Sequence, residues 1–242
     1  TSVGTPARMK EVTRLVTASG NPVFVVLSAM SGTTNSLVEI SNYLYRKNPE
    51  GANDVINALE AKYMKHVEEL HASDEYKKAT TAMLKERFMF LRSFTKGTFT
   101  SFEEKQVVAQ GEIMSTGMVV NYMKEQGIKA VLLNSLEFMR TDKNSEPDTA
   151  YIKEHLTEVM KNNEGYQVYV AQGFICQNAY GEVDNLLRGG SDYSASLIGA
   201  AMGAEEIQIW TDIDGMHNND PRFVENTKPV SNLSFDEAAE LA

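Results

Sequence analysis

A chain of 242 residues, 42% of them hydrophobic, is long and apolar enough to bury a full core as one large domain or two small ones, which excludes a disordered polymer. Its 33 acidic against 23 basic residues leave a formal charge of -10, which argues against a general nucleic-acid or anionic-membrane binder; any anionic ligand must be met by local positive groups. Cys176 is the single cysteine, which excludes a disulfide framework and a Cys-based zinc cluster and fits a reducing, cytoplasmic compartment.

The opening "TSVGTPARMKEV" carries no signal-peptide core, and no apolar run reaches membrane-spanning length. A first strand is expected over 22–29 ("PVFVVLSA"), then a helix over 36–47 with a capping box from Ser36 and Glu39. Residues 50–105 hold "EEL", "DEYKK" and "KERF" in quick succession and no strand signal. They are expected to form a helical insertion, with helices over 55–71 and 75–95 whose charges read as a solvated face rather than a lid or partner surface. A helix over 102–126, capped by Ser101 and Glu104, leads to a strand over 129–134. A helix over 148–162, a strand over 167–174, a helix over 192–203 and a strand over 206–212 follow. The strands are near-continuous apolar runs, as strands covered on both faces are, so the pattern points to a mostly parallel α/β sheet flanked by helices. Ser234 and Glu237 form a last capping box whose helix has hardly begun at the final residue, and "TSVG" lacks a preceding strand. A fragment of a longer protein is therefore expected, and with no repeat or flexible linker in view it is expected to be one domain.

Neither a P-loop nor a G-x-G-x-x-G after a strand is present. Ligands of open α/β sheets nonetheless sit beyond the carboxyl ends of strands, where helix N-termini offer free N–H groups to anions. Three segments occupy such junctions. "LSAMSGTTNSLVEI" places Ser28, Ser31, Gly32, Thr33, Thr34 and Asn35 between a strand and a helix, a composition that suits phosphate or carboxylate and equally suits caps and turns. "RGGSDYSASLIGAAMG" opens a helix: Ser191 is a suitable N-cap, Asp192 suits the positive end of the dipole, and Gly189 and Gly190 permit close backbone approach. Arg188 is not explained by a helix start, whereas its planar fork matches a carboxylate or phosphate. "IWTDIDGMHNNDPR" carries Asp212, Asp214, Asp220 and Arg222, which suit a nucleotide with magnesium; two Asx turns account for the acids as well.

Taken in this order, the segments resemble the aspartokinases of the amino acid kinase family. That family opens with K-F-G-G-T-S-V, and the chain begins at Thr1, Ser2 and Val3 of it; "VVLSAMSGTTN", "QGEIMSTG", "RGGSDYSA", "IWTDIDGMHNNDPR" and "FDEAAELA" follow as the family has them. The resemblance runs from the first residue to the last. It implies a three-layer α/β/α sandwich and ATP-dependent phosphorylation of the L-aspartate side-chain carboxylate, with Mg²⁺, as the first step of lysine, threonine and methionine biosynthesis. By resemblance Arg188, Gly190 and Ser191 hold carboxylate, Thr34 hydrogen-bonds the amino acid, and Glu112, otherwise an ordinary helix glutamate, pairs its ammonium. Asp192 lies near the reaction centre as an organiser. Thr211 and Asp212 lie near the nucleoside and Arg222 near the phosphates, with Ser28 facing them from the other side. His217 stands where many relatives carry Tyr, and Asp184 and Asn185 replace a threonine-rich lead; no protein metal ligand is singled out. The family lysines of K-F-G-G and F-G-A-K lie outside these residues, so the chain by itself is expected to be a poor catalyst. A homodimer is the family expectation for the longer protein, and no ACT regulatory domain falls within the chain. The alternatives are an amino acid kinase with another acceptor, or a non-catalytic ligand-binding homologue.

Overall fold

The computed structural model describes residues 3–186, 190–210, 215–220 and 223–241. The chain divides into two compact units, one ending at Ile209 and one beginning at Trp210.

In the first unit, β1 (Val23–Leu27), β2 (Ala130–Leu133) and β3 (Val168–Gln172) form a parallel sheet in the order β1-β3-β2, with Val23 and Ala130 both opposite Val168. All five residues of β3 are buried, as a central strand covered on both faces requires. Its side chains alternate between two cores. Val168 and Val170 face a large cluster with Val25, Leu27, Ile40, Ile56, Tyr63, Phe88 and Met114, while Tyr169 and Ala171 face a smaller one with Ile152, Leu156 and Ile198. The first is supplied by α2 (Thr33–Tyr45), α3 (Pro49–Leu70), α4 (Asp74–Ser93) and α5 (Ser101–Glu125), the second by α6 (Thr149–Asn162) and α7 (Gly190–Met202). This is the expected helix–sheet–helix layering. A short antiparallel pair, β4 (Ile175–Gln177) and β5 (Val183–Asn185), lies between β3 and α7 in the chain.

The 50–105 segment is helical as expected, and one face of it is core: Ile56, Leu59, Tyr63, Val67 and Leu70 of α3 and Leu84, Phe88 and Leu91 of α4 are buried. Helix α5 runs through the middle of the unit and is buried around most of its girth from Val107 to Val120. Its capping box is Thr100 with Glu103, one residue earlier than expected, with the Thr100 N–H donating to Glu103 Oε2 at 2.8 Å.

Helix α3 begins at Pro49 rather than at 55, the β4–β5 pair was not expected, and three further elements differ from the expectations. Helix α1 (Pro6–Thr17) was not anticipated: Thr5 caps it, Pro6 takes its first turn, and its short apolar stripe buries Met9. Helix α2 begins at Thr33 rather than at a Ser36 box, and the Ser36 hydroxyl donates back to the Gly32 carbonyl at 3.3 Å. Over 206–210 no strand forms, and Ile207, Ile209 and Trp210 stay 44%, 45% and 52% exposed. Alternating apolar residues specify a strand only where a sheet edge pairs with them; this stretch, at the division between the units, has no ladder among the described residues.

In the second unit, Met216 and Asn218 pair with Val230 and Lys228 around a bridge between His217 and Pro229. The unit ends in α8 (Phe235–Leu241), capped as expected by Ser234 and Glu237, whose N–H donates to Ser234 Oγ at 3.3 Å. Among the described residues no helix is long and apolar enough to cross a membrane.

Candidate functional site

Parallel pairing of β1 with β3 sets their carboxyl ends side by side, and the Gly173 N–H extends the ladder by donating to the Leu27 carbonyl at 2.9 Å. The chain leaving β1 passes through Ser28, half-buried, to Gly32 and α2; the chain leaving β3 passes through Gly173 and Phe174. Gly32 has φ 76°, a left-handed conformation that glycine adopts at no steric cost, and lets the chain turn into α2 without a side-chain cap. The Thr33 N–H donates to the Met30 carbonyl at 3.0 Å and the Ser36 N–H to the Gly32 carbonyl at 3.1 Å. Thr34 is exposed in the first helical turn.

Glu112 projects from the middle of α5 toward this turn. It is 4% exposed; Oε1 accepts the Ala29 N–H at 3.1 Å, and Oε2 is buried with no hydrogen-bond partner. Burial drives its pKa up to about 7, the Ala29 N–H opposing the shift. A buried carboxylate oxygen with no donor is costly, so the arrangement is suited to an arriving cation or N–H donor.

The neighbouring side chains brace the backbone around that carboxylate. Ser115 Oγ donates to the Ser28 carbonyl at 2.7 Å, and Thr116 Oγ1 to the Glu112 carbonyl at 2.7 Å. Gln172, buried at the end of β3, donates through Nε2 to Thr116 Oγ1 at 3.2 Å and accepts the Ser135 N–H at 2.8 Å; Ser135 Oγ donates to the Gln172 carbonyl at 2.7 Å. Gln172 and Ser135 were not picked out from the sequence. The available signal was a single amide inside an otherwise apolar buried strand, which a core position tolerates only when fully hydrogen-bonded.

Helix α7 starts against the same edge. A Cβ on Gly173 would lie 2.8 Å from Ser191 Cα, so only glycine allows this approach. Gly190 is buried and already helical, which places half-buried Ser191 in the first turn and corrects its expected role as the cap. Ser194 locks the start, Oγ donating to the Gly190 carbonyl at 2.7 Å while accepting the Phe174 N–H at 3.0 Å. Asp192 is exposed in the first turn. Just upstream, Asp184 pairs with Lys105 at 2.7 Å, and Asn185 Nδ2 is buried without a partner. Cys176, opposite Asp184, is an inert thiol: burial, with the Asp184 charge, pushes it to about 12.

The described part of the site therefore brings together the Ser28–Thr34 turn, Glu112, and the Gly190–Asp192 start of α7. Arg188, Thr211, Asp212 and Arg222, with Gly189 and Asp214, lie outside the described residues. His217 belongs to the second unit, where Nδ1 lies 2.9 Å from Thr227 Oγ1. Among the described residues no three acids, histidines or cysteines converge to hold a metal ion.

Residues 1–242 match the profile of the amino acid kinase family. Lysine-sensitive aspartokinase 3 of Escherichia coli (strain K12) is 31% identical over 247 residues, covering all of this chain and 54% of that protein. The aspartokinase of Chlamydia muridarum is 30% identical over 247 residues, covering all of this chain and 53% of that protein. Among solved structures, Escherichia coli aspartokinase III in complex with aspartate and ADP (R-state) matches with a TM-score of 0.84 at 29% identity, over 99% of this chain and 53% of that one. The same enzyme with lysine and aspartate (T-state) matches with a TM-score of 0.81 at 30% identity, over 99% of this chain and 54% of that one. The chain spans about half the length of the curated relatives it matches.

Proposed function

The chain belongs to the amino acid kinase family, and from that premise we propose that it is the catalytic part of an aspartokinase, transferring the γ-phosphoryl of ATP to the side-chain carboxylate of L-aspartate. The observation that carries this reading is Glu112, a buried carboxylate with one oxygen held by the Ala29 N–H and the other unpartnered. Its chemistry matches an amino acid's ammonium. The solved relative that holds aspartate and ADP supports the same choice of ligands.

L-Aspartate carries two carboxylates and one ammonium. In this reading Glu112 pairs the ammonium, Thr34 hydrogen-bonds the amino acid, and Arg188 with Gly190 and Ser191 at the mouth of α7 holds carboxylate. The resemblance makes Thr211, Asp212, His217 and Arg222 the candidates for the nucleotide, and Ser28 a candidate for phosphate. The acceptor carboxylate is ionised at neutral pH and needs no general base, so the protein's task is to bring two anions in line and fix them. Asp192, exposed in the first turn of α7, organises an ammonium or water there rather than taking a proton. The acids Asp212, Asp214 and Asp220, in one loop with Arg222, suit a nucleotide with its magnesium, and no single one of them is assigned as a ligand. Magnesium would there offset charge on the transferring phosphoryl.

ADP release measured across L-aspartate, L-glutamate, N-acetylglutamate and nucleoside monophosphates tests the reading in the protein with its natural flanking sequence. The expected result is turnover with L-aspartate alone. Turnover with another acceptor would replace the substrate assignment, and binding of L-aspartate without any turnover would make the chain a sensor.

A further inference from the structure

We propose that Lys62 of α3 is a positioning residue for the ligand at the β1–α2 turn, acting with its neighbour Tyr63 as a two-point clamp on the residues that flank Gly32. Lys62 Nζ donates to the Ser31 carbonyl at 2.6 Å, and Tyr63 Oη lies 3.0 Å from Thr33 Oγ1. These two contacts bracket the one left-handed residue of the turn. The inference rests on the reading that this turn faces the substrates.

Three features assign the pair a role beyond packing. First, the N-cap Gly32 supplies no side-chain acceptor to the first α2 N–H groups, which Thr34 and Asn35 contribute, so their direction depends on how the turn itself is held. Second, the Tyr63 ring is fully buried against Phe88, their ring planes 72° apart, so one half of the clamp is anchored in the core. Burial also pushes the Tyr63 phenol well above its usual range, which keeps it protonated and able to hydrogen-bond. Third, Lys62 is half-buried at the wall of an open groove of about 430 Å³ between α2 and α3. Its ammonium can keep water on its remaining donors and does not carry the desolvation cost of a buried cation. The chain entering the same turn is held by Glu112, through the Ala29 N–H. The insertion and α5 thus both hold a glycine-hinged loop whose helix N–H groups favour anions.

Lys62→Met keeps the aliphatic stem and removes the ammonium; Lys62→Arg keeps a cation able to reach a carbonyl. Both are made in the protein with its natural flanking sequence and read in two ways. Amide hydrogen exchange of Thr33 and Ser36 without ligand tests the clamp independently of any activity, and is expected to quicken about tenfold in Lys62→Met and to stay near wild type in Lys62→Arg. Steady-state kinetics are expected to give an L-aspartate KM about five- to tenfold higher in Lys62→Met, with kcat within about twofold and Tm nearly unchanged, and recovery of most of that KM in Lys62→Arg. Tyr63→Phe is expected to show a smaller change in the same exchange rates. Unchanged exchange in Lys62→Met would overturn the clamp. Faster exchange with an unchanged KM would overturn the positioning role. If the wild type turned over no L-aspartate, the substrate reading would fall while the exchange experiment still decided the clamp.

Discussion

Replacing Glu112 by glutamine, and separately lowering the pH, perturbs the one buried acid of the site whose charge the ligand is expected to need. In the free protein its pKa is about 7, against 4.5 for an unperturbed glutamate, and burial is the principal cause. Between those two values the folded chain keeps a proton that the unfolded chain has released. Stability therefore falls as pH rises through that window and levels off above about 7. The difference of the two values corresponds to about 3 kcal/mol of stability forgone at alkaline pH. Glu112→Gln should recover up to that amount at pH ~8 and little at pH ~4, read as a Tm difference that grows with pH. Binding has the opposite dependence, because an ammonium favours the ionised carboxylate. L-Aspartate itself does not change charge between about pH 6 and pH 8, so its dissociation constant should rise about tenfold over that descent, with release of close to one proton per ligand at pH ~6 and almost none at pH ~8. Calorimetric titrations in two buffers of different ionisation enthalpy read the proton count directly. A dissociation constant and proton count independent of pH, together with an unaltered affinity in Glu112→Gln, would refute the role given to this carboxylate.

Arg188→Lys keeps the charge and loses the planar fork, so the L-aspartate KM should rise about tenfold while kcat changes little; equal losses in both would show that the guanidinium acts only in the transition state. Asp192→Asn should lower turnover without removing an ionisation from the pH–rate profile, since an organiser need not titrate, and loss of a limb of that profile would instead make it a base. Gly173→Ala drives a Cβ to 2.8 Å from Ser191 Cα, and overpacking of this kind costs about 1–3 kcal/mol. A lower Tm with a raised L-aspartate KM is expected, and an unchanged KM would mean that the seat of α7 does not set the site.

The three central strands were legible because each is a short, largely apolar run rich in Val or Leu, as strands of a helix-covered parallel sheet are. Helix ends were less so. Thr100 and Ser101 can each cap, and Glu103 and Glu104 can each close the box; geometry selects Thr100 with Glu103. Ser36 and Glu39 carry the same local signature as a real box, yet the left-handed turn at Gly32 starts α2 three residues sooner. The run expected over 206–212 illustrates the converse: over 206–210 the apolar alternation finds no partnering edge among the described residues. In the site, Glu112 was singled out only through a motif, since its burial and its unpartnered oxygen are tertiary facts. The supports of the site were invisible for the same reason: Gln172 reaches Ser135 and Thr116 across 37 and 56 residues, and Lys62 reaches Ser31 across 31. No local pattern encodes such pairings. Residues in helix-start motifs could be shortlisted from chemistry, but glycines and hydroxyls at a strand's carboxyl end serve caps and turns equally well, so their individual roles came from the resemblance.

The most direct test of the account is to trap the product. The protein with its natural flanking sequence is incubated with ATP, magnesium, L-aspartate and hydroxylamine, and the coloured iron complex of the hydroxamate is measured. ATP-dependent formation of aspartyl β-hydroxamate is expected, together with little or none from residues 1–242 alone. Absence of hydroxamate from the longer protein, under conditions in which it binds both L-aspartate and ATP, would contradict the claim that this fold phosphorylates the aspartate side chain.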